Sequence, residues 1–174
     1  MQRNLVFRSL VAAAIVAILA MVSSDVRAGQ SQPTSAETKA RMIDLITTLE
    51  TDPYNKDAKE YRHEVLVWLT NAPDVTVELC ADLLGDVKKL TGDDGAMLVG
   101  QLAFSQAMYI LEHPDKAKDR VGVSVAGIDG VLRTYVAMKQ AKPALRFEPL
   151  EKLIQVEADE KLDEYTEKAL KNCK

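Results

Sequence analysis

Histidine and cysteine are scarce in this sequence, with two of each among 174 residues. His63 and His113 stand 50 residues apart, and the four residues together lack the ligand spacing of a zinc site. We interpret His63 as a solvated helix residue and His113 as a cap at a helix end. The acidic pair Asp93-Asp94 is not followed by the glutamate that closes an EF-hand calcium loop. The sequence therefore predicts neither a metal nor a cofactor.

Motifs of nucleophilic catalysis and of nucleotide binding are absent as well. The sequence has no Gly-x-Ser-x-Gly elbow, no phosphate-binding loop and no Gly-x-Gly-x-x-Gly segment. Ser105 and Ser124 have no histidine near them in the sequence. This lack of recognisable catalytic groupings leaves the question of activity open but favours a protein that is not an enzyme.

The first residues have the three-part pattern of a secretory signal peptide. Two arginines precede an uncharged apolar stretch over residues 10–22, and Val26-Arg27-Ala28 fits a cleavage site. We predict a cleaved signal peptide over 1–28 and a mature chain that begins at Gly29. The alternatives are cleavage after Ser24 and an uncleaved membrane anchor. The predicted location is the periplasm or the exterior of the cell.

The mature chain is acidic and long enough to form one domain. Removal of residues 1–28 leaves 146 residues, with 19 basic and 25 acidic side chains and a formal net charge of −6. No basic stripe is present, which excludes an electrostatic footprint for nucleic acid and disfavours an anionic membrane surface. We predict a disordered leader over 29–33 and a single domain over 34–174.

Apolar spacing predicts an all-α fold of about six helices, packed as irregular antiparallel hairpins. The segment Gly95–Leu111 has no charged side chain, so the helix over residues 96–111 is predicted to lie at the centre of the domain. The next helix contains Gly122, Ala126 and Gly130 at steps of four. We expect this stripe of small residues to pack against a similar stripe on the central helix.

Two further helices are predicted on either side of this pair. The third helix of the chain is expected to begin after Asp74 and to continue to Leu90, with Leu79 and Cys80 on its apolar face. The last helix is expected to continue from Leu150 to the C-terminal residues. Its apolar stripe has the same orientation as Cys173.

The two cysteines, Cys80 and Cys173, both belong to the mature chain. An exported chain meets an oxidising compartment, where an isolated pair of cysteines on apolar helix faces is expected to form a disulfide. The alternative is two unpaired cysteines, with Cys80 in the core and Cys173 on a mobile end.

Asp129 is the most unexpected charge, because it interrupts an otherwise apolar helix. Arg133 follows four residues later, at the spacing of an ion pair on one helix face. Two interpretations stay open at this point. Asp129 is either the partner of Arg133 or an acid that lines a pocket.

These observations predict a non-enzymatic binding or interaction module whose partner is an unknown protein or small ligand. A small helical enzyme or ligand carrier with a pocket near Asp129 is the first alternative. The second is a periplasmic holdase that protects other proteins under stress, which the acidic charge and helical build favour. The sequence does not identify the partner or the oligomeric state.

Overall fold

A computed structural model describes residues 33–173 of the chain. The predicted signal peptide and its cleavage site at Ala28 and Gly29 lie outside the described residues. The domain is all-helical, as predicted, and the structure describes no β-strand within this range. Its six α-helices are α1 (Ala36–Thr51), α2 (Ala58–Asn71), α3 (Gly92–Glu112), α4 (Arg120–Ala141), α5 (Glu148–Ala158) and α6 (Leu162–Leu170).

The predicted central helix is α3, and its uncharged sequence is explained by its position. All seven residues from Gln101 to Ala107 are buried, so every face of the helix in this stretch contacts other elements. A short turn over Pro114–Lys116 connects α3 to α4, its main packing partner. Helix α4 is long and apolar enough to cross a membrane, but more than half of its most apolar window is buried inside the domain.

The core consists of two apolar clusters on either side of the α3–α4 pair. One joins α1 and α2 to the middle of α3, with Ile46, Leu49 and Val65 fully buried. The other joins α4, α5 and α6 to the segment before α3, with Leu84, Tyr135 and Leu150 fully buried. Helices pack against both sides of the α3–α4 pair, and this burial explains why α3 and α4 carry so few charges.

The prediction of a third helix over residues 74–90 is wrong. Residues 75–80 have no regular secondary structure, and two short 3-10 turns follow at Ala81–Leu84 and Val87–Lys89. Gly85 separates these turns with φ +72°, a conformation that interrupts a right-handed helix and suits glycine. Leu79, expected on the buried face, is 66% exposed.

The last predicted helix is two helices, α5 and α6. Glu160 ends α5 in the left-handed region with φ 58°, and the Lys161 N–H donates to the carbonyl of Val156 at 3.0 Å. The chain reverses here, so α6 packs against α4 and the first 3-10 turn. This reversal brings Cys173 to Cys80 with a Cα–Cα distance of 5.7 Å, and the predicted disulfide is present.

Close approach between α3 and α4 occurs at Gly130, as expected from the stripe of small residues, and also at Gly127, which lies outside that stripe. A Cβ atom on Gly127 would lie 2.6 Å from Cγ of Gln106 and 3.1 Å from the Leu102 carbonyl oxygen. Gly130 faces Ser105 with equally little room, whereas a Cβ on Gly100 would meet nothing within 4 Å. The two helices therefore meet closely at Gly127 and Gly130, whereas Gly100 of α3 faces open space.

Candidate functional site

The candidate site begins with Glu50, a charged residue buried in the last full turn of α1. It follows Ile46 by four residues and therefore shares the apolar face of the helix, and it is only 3% exposed. A carboxylate in such a position is costly unless its oxygens are hydrogen-bonded. Ser105 of α3 donates to Oε1 at 2.6 Å, and Nε of Arg133 donates to Oε2 at 2.9 Å.

Space for this carboxylate comes from Gly130 of α4. A Cβ atom at that position would overlap both Ser105 Oγ and Glu50 Oε1. Gln101, one turn before Ser105 on α3, donates through Nε2 to the serine hydroxyl at 3.1 Å. The result is a continuous hydrogen-bonded chain from Gln101 through Ser105 and Glu50 to Arg133.

Arg133 carries the only positive charge in this group and is shared by two carboxylates. It pairs with Glu50 and also, through Nη1, with Asp129 one turn earlier on α4. Desolvation by burial lowers its pKa, but the charges of Glu50 and Asp129 outweigh that effect, so the pKa of Arg133 is raised above its ordinary value. The guanidinium remains charged, and the ion pair proposed from the i, i+4 spacing is present.

Glu157, in the last turn of α5, adds a third carboxylate. Its pKa is raised, first by desolvation and then by a hydrogen bond to Asp129 and the negative charge of that residue. Arg133 acts in the opposite direction but does not compensate fully. Asp129 and Glu157 are therefore two neighbouring acids that compete for one cation.

An open cleft of about 390 Å³ lies beside these charges, between α1, α4 and α5. Glu50, Arg133 and Glu157 form its charged side, and Leu132, Val136 and Ile154 contribute an aliphatic wall. Val136 is 45% exposed, which is high for a valine beside a core. The cleft thus combines a negatively charged rim with an apolar surface, an arrangement typical of sites for small ligands.

The structure places the residues predicted as candidates in different parts of the molecule. Asp129 pairs with Arg133, as one of the two interpretations predicts, and Arg133 lines the cleft, whereas Asp129 is not among the residues that line it. His63 is exposed on α2, and the His113 ring lies 4.7 Å from the Tyr109 ring at the end of α3. Among residues 33–173, no cluster of three or more acidic, histidine or cysteine side chains could hold a metal.

Glu50 and Glu157 are not predicted as site residues from the sequence, and Ser105 is considered there only as a nucleophile that lacks a nearby histidine. The sequence does mark Glu50, because Glu50 continues the apolar spacing of α1 and a charged side chain at such a position is expected to have a partner. Glu157 opens a densely charged stretch of the sequence, and only the packing of α5 against α4 places it beside Asp129.

Comparisons with known proteins gave no match: no family model, no curated protein and no solved structure resembles the chain at a significant level.

Proposed function

We propose that the protein is an exported binding protein that takes a small organic cation in the cleft between α1, α4 and α5. The observation that carries this proposal is the charge balance of the rim. Two carboxylates, Glu50 and Asp129, pair with the guanidinium of Arg133, and the third carboxylate, Glu157, forms no ion pair within the described residues. A protonated amine beside Glu157 supplies the missing positive charge.

The aliphatic wall determines the rest of the ligand. Leu132, Val136 and Ile154 lie beside the charged rim and offer apolar surface to a hydrocarbon chain. Each methylene that leaves water contributes about 0.8 kcal/mol, or roughly a fourfold gain in affinity. The ligand class that fits both surfaces is a primary alkylamine or a molecule that carries one, with the ammonium at Glu157 and the chain along α4.

Isothermal titration calorimetry with n-alkylamines from methylamine to n-hexylamine tests this proposal. We expect the affinity to increase with chain length until the cleft is filled, and hexanoate, with the opposite charge, to bind more weakly than hexylamine. Equal binding of hexanoate and hexylamine, or an affinity independent of chain length, would contradict the proposal.

A pair of variants locates the binding to this cleft. Glu157→Gln removes the rim charge that faces Asp129 and should weaken hexylamine binding up to about fivefold, because a solvated ion pair contributes up to about 1 kcal/mol. Glu167→Gln changes an exposed glutamate on α6 and serves as the control. An equal loss of affinity in both variants would mean that the amine responds to net charge and has no specific site.

Export is the second part of the proposal. It is supported by the signal-peptide pattern of residues 1–28, and the disulfide between Cys80 and Cys173 is compatible with an oxidising compartment. Intact-mass measurement of the protein from the producing cells and their medium should give a chain that begins at Gly29. Full-length protein in the membrane fraction would contradict it.

A further inference from the structure

Gln140 of α4 is a cleft residue whose side chain the charged rim does not explain. The cleft between α1, α4 and α5 contains two uncharged polar side chains, Thr51 and Gln140. The Thr51 hydroxyl donates to the Thr47 carbonyl of its own helix at 3.0 Å. Gln140 is exposed, and its carboxamide has no hydrogen-bond partner among residues 33–173. Within the cleft, the Gln140 amide is therefore available to a ligand as a donor through Nε2 and as an acceptor through Oε1.

Gln140 lies on the same face of α4 as the charged rim but farther along the helix. Arg133, Val136 and Gln140 follow one another at steps of three and four, the spacing of one helix face. Because an α-helix rises about 1.5 Å per residue, Arg133 and Gln140 are separated by roughly 10 Å along the axis. The amide therefore stands about two turns away from the guanidinium of the rim.

The direction of α5 places Glu157 at the other end of the cleft from Gln140. Near the start of α5, Glu151 accepts a hydrogen bond from Lys139, the residue before Gln140. At the end of α5, Glu157 faces Asp129, near the middle of α4. The two helices are thus antiparallel here, and the carboxylate of Glu157 and the amide of Gln140 mark opposite ends of the cleft.

The surface between these two ends is apolar. Leu132, Val136, Ala137 and Ile154 line it, and Val136 is 45% exposed. A hydrocarbon chain that lies on these residues leaves water, which favours binding. The cleft thus offers, in order, a carboxylate, an aliphatic surface and a neutral amide.

We propose that the ligand of this cleft is a primary amine with a hydroxyl or amide group at the far end of its hydrocarbon chain. The inference rests on the proposed function and names a second recognised group for the same site. The ammonium binds at Glu157, the chain lies against the aliphatic surface, and the terminal group forms a hydrogen bond with Gln140. A neutral terminal group suits this end, because the amide supplies no counter-charge to an ionised one.

Isothermal titration calorimetry with 6-amino-1-hexanol and n-hexylamine tests the proposal. In a purely apolar site the added hydroxyl would lose its hydrogen bonds to water and weaken binding. We expect the opposite, a gain in affinity of about fivefold, because the hydroxyl pairs with Gln140. 6-Aminohexanoate, with a charged terminal group, should bind more weakly than 6-amino-1-hexanol. Equal or tighter binding of 6-aminohexanoate would overturn the proposal.

A short amino alcohol tests the distance between the two ends. 3-Amino-1-propanol cannot reach Gln140 while its ammonium remains at Glu157, so it should bind no more tightly than n-propylamine. If the hydroxyl increases the affinity of the short amine as much as that of the long one, it binds at the charged rim, and the proposal is wrong.

The variant Gln140→Met keeps the length of the side chain and removes its hydrogen-bonding groups. In this variant, 6-amino-1-hexanol should bind no more tightly than n-hexylamine. The control Gln155→Met changes an exposed glutamine of α5 outside the cleft and should retain the preference for the amino alcohol. A preference that persists in Gln140→Met would overturn the assignment of Gln140.

The proposed function and the terminal-group proposal fail in different ways. If n-hexylamine binds as expected and 6-amino-1-hexanol binds equally or more weakly, the terminal-group proposal is wrong and the amine site stands. If neither amine binds, the amine site itself is refuted, and the terminal-group proposal is refuted with it.

Discussion

The surroundings of the two ends of α5 shift the pKa of a glutamate in opposite directions. At the N-terminal end, Glu151 accepts hydrogen bonds from Lys139 at 2.7 Å, Tyr135 at 2.7 Å and Arg146 at 3.1 Å. These bonds, led by that of Lys139, lower the pKa of Glu151 to about 2. At the C-terminal end, Glu157 faces Asp129, and desolvation and this neighbour raise its pKa.

The ion-pair network around Glu151 has a counter-charge for its carboxylate, whereas the network at the cleft has more carboxylates than cations. Two cations and a hydroxyl surround the carboxylate of Glu151, whereas at the cleft one guanidinium pairs with Glu50 and Asp129 and leaves Glu157 without an ion pair within the described residues. A network in which every carboxylate has a counter-charge stabilises the fold. A network with one uncompensated carboxylate is expected to bind a ligand that carries the missing positive charge. Four predictions test this contrast.

The largest expected effect is that of removing a cation from each region. Arg133→Met leaves the buried carboxylate of Glu50 without its counter-charge and should destabilise the protein by about 2–3 kcal/mol. Lys139→Met should cost under about 1 kcal/mol, because Arg146 and Tyr135 remain on Glu151. Urea unfolding of both variants measures the difference, and equal losses would contradict the contrast.

The second prediction concerns the space that admits Glu50. Gly130→Ala places a methyl group against Ser105 and Glu50 and should destabilise by about 1–3 kcal/mol. Gly100→Ala is the matched control on α3, where a Cβ meets nothing within 4 Å, and should stabilise by up to about 1 kcal/mol through helix propensity. If thermal melts of the two variants shift in the same direction, the assignment of Gly130 to the close contact is wrong.

Neutralising the two glutamates should change stability with opposite signs. Glu151→Gln loses favourable ion pairs and should destabilise by up to about 1 kcal/mol at pH 7. Glu157→Gln removes repulsion between like charges and should stabilise by about a few tenths of a kcal/mol. Chemical unfolding at pH 7 compares the pair, and a loss of stability in Glu157→Gln would mean that its charge is already compensated.

The free energy of unfolding should depend on pH through both Glu151 and Glu157. The stability from Glu151 is fully present above its ordinary pKa of 4.5 and is lost as the pH falls through about 2. Glu157 acts in reverse: because the folded state binds its proton more tightly, stability decreases as the pH rises above 4.5 and through the raised pKa. Unfolding curves between pH 2 and 8 should lose the first slope in Glu151→Gln and the second in Glu157→Gln.

Much of the fold follows from the sequence because local signals agree with the tertiary structure. The uncharged segment Gly95–Leu111 predicts a buried helix, and α3 is that helix. The apolar spacing of residues 79–90 also fits a helix, but the same spacing arises when 3-10 turns bury Leu83, Leu84 and Leu90. The positive φ of Gly85 interrupts an α-helix and is compatible with two separate 3-10 turns. The presence of a glycine in the sequence does not by itself predict a positive φ.

The candidate site was harder to predict because its residues are distant in the chain. The i, i+4 spacing of Asp129 and Arg133 is local and is visible in the sequence. Glu50 reaches Arg133 across 83 positions, and this contact depends on how α1 packs against α4. The position of Glu157 depends on how α5 packs against α4, and no proline or glycine marks the end of α5 in the sequence.

The titration of Glu157 tests the central claim, that the cleft lacks a positive charge, most directly. Carboxyl ¹³C NMR of the protein should give a pKa for Glu157 above the ordinary 4.5, and saturating n-hexylamine should lower it as the ammonium replaces the missing cation. Glu151 provides the internal reference, since its pKa of about 2 should not respond to the amine. A Glu157 pKa at or below 4.5 in the free protein, or one that hexylamine leaves unchanged, would contradict the account.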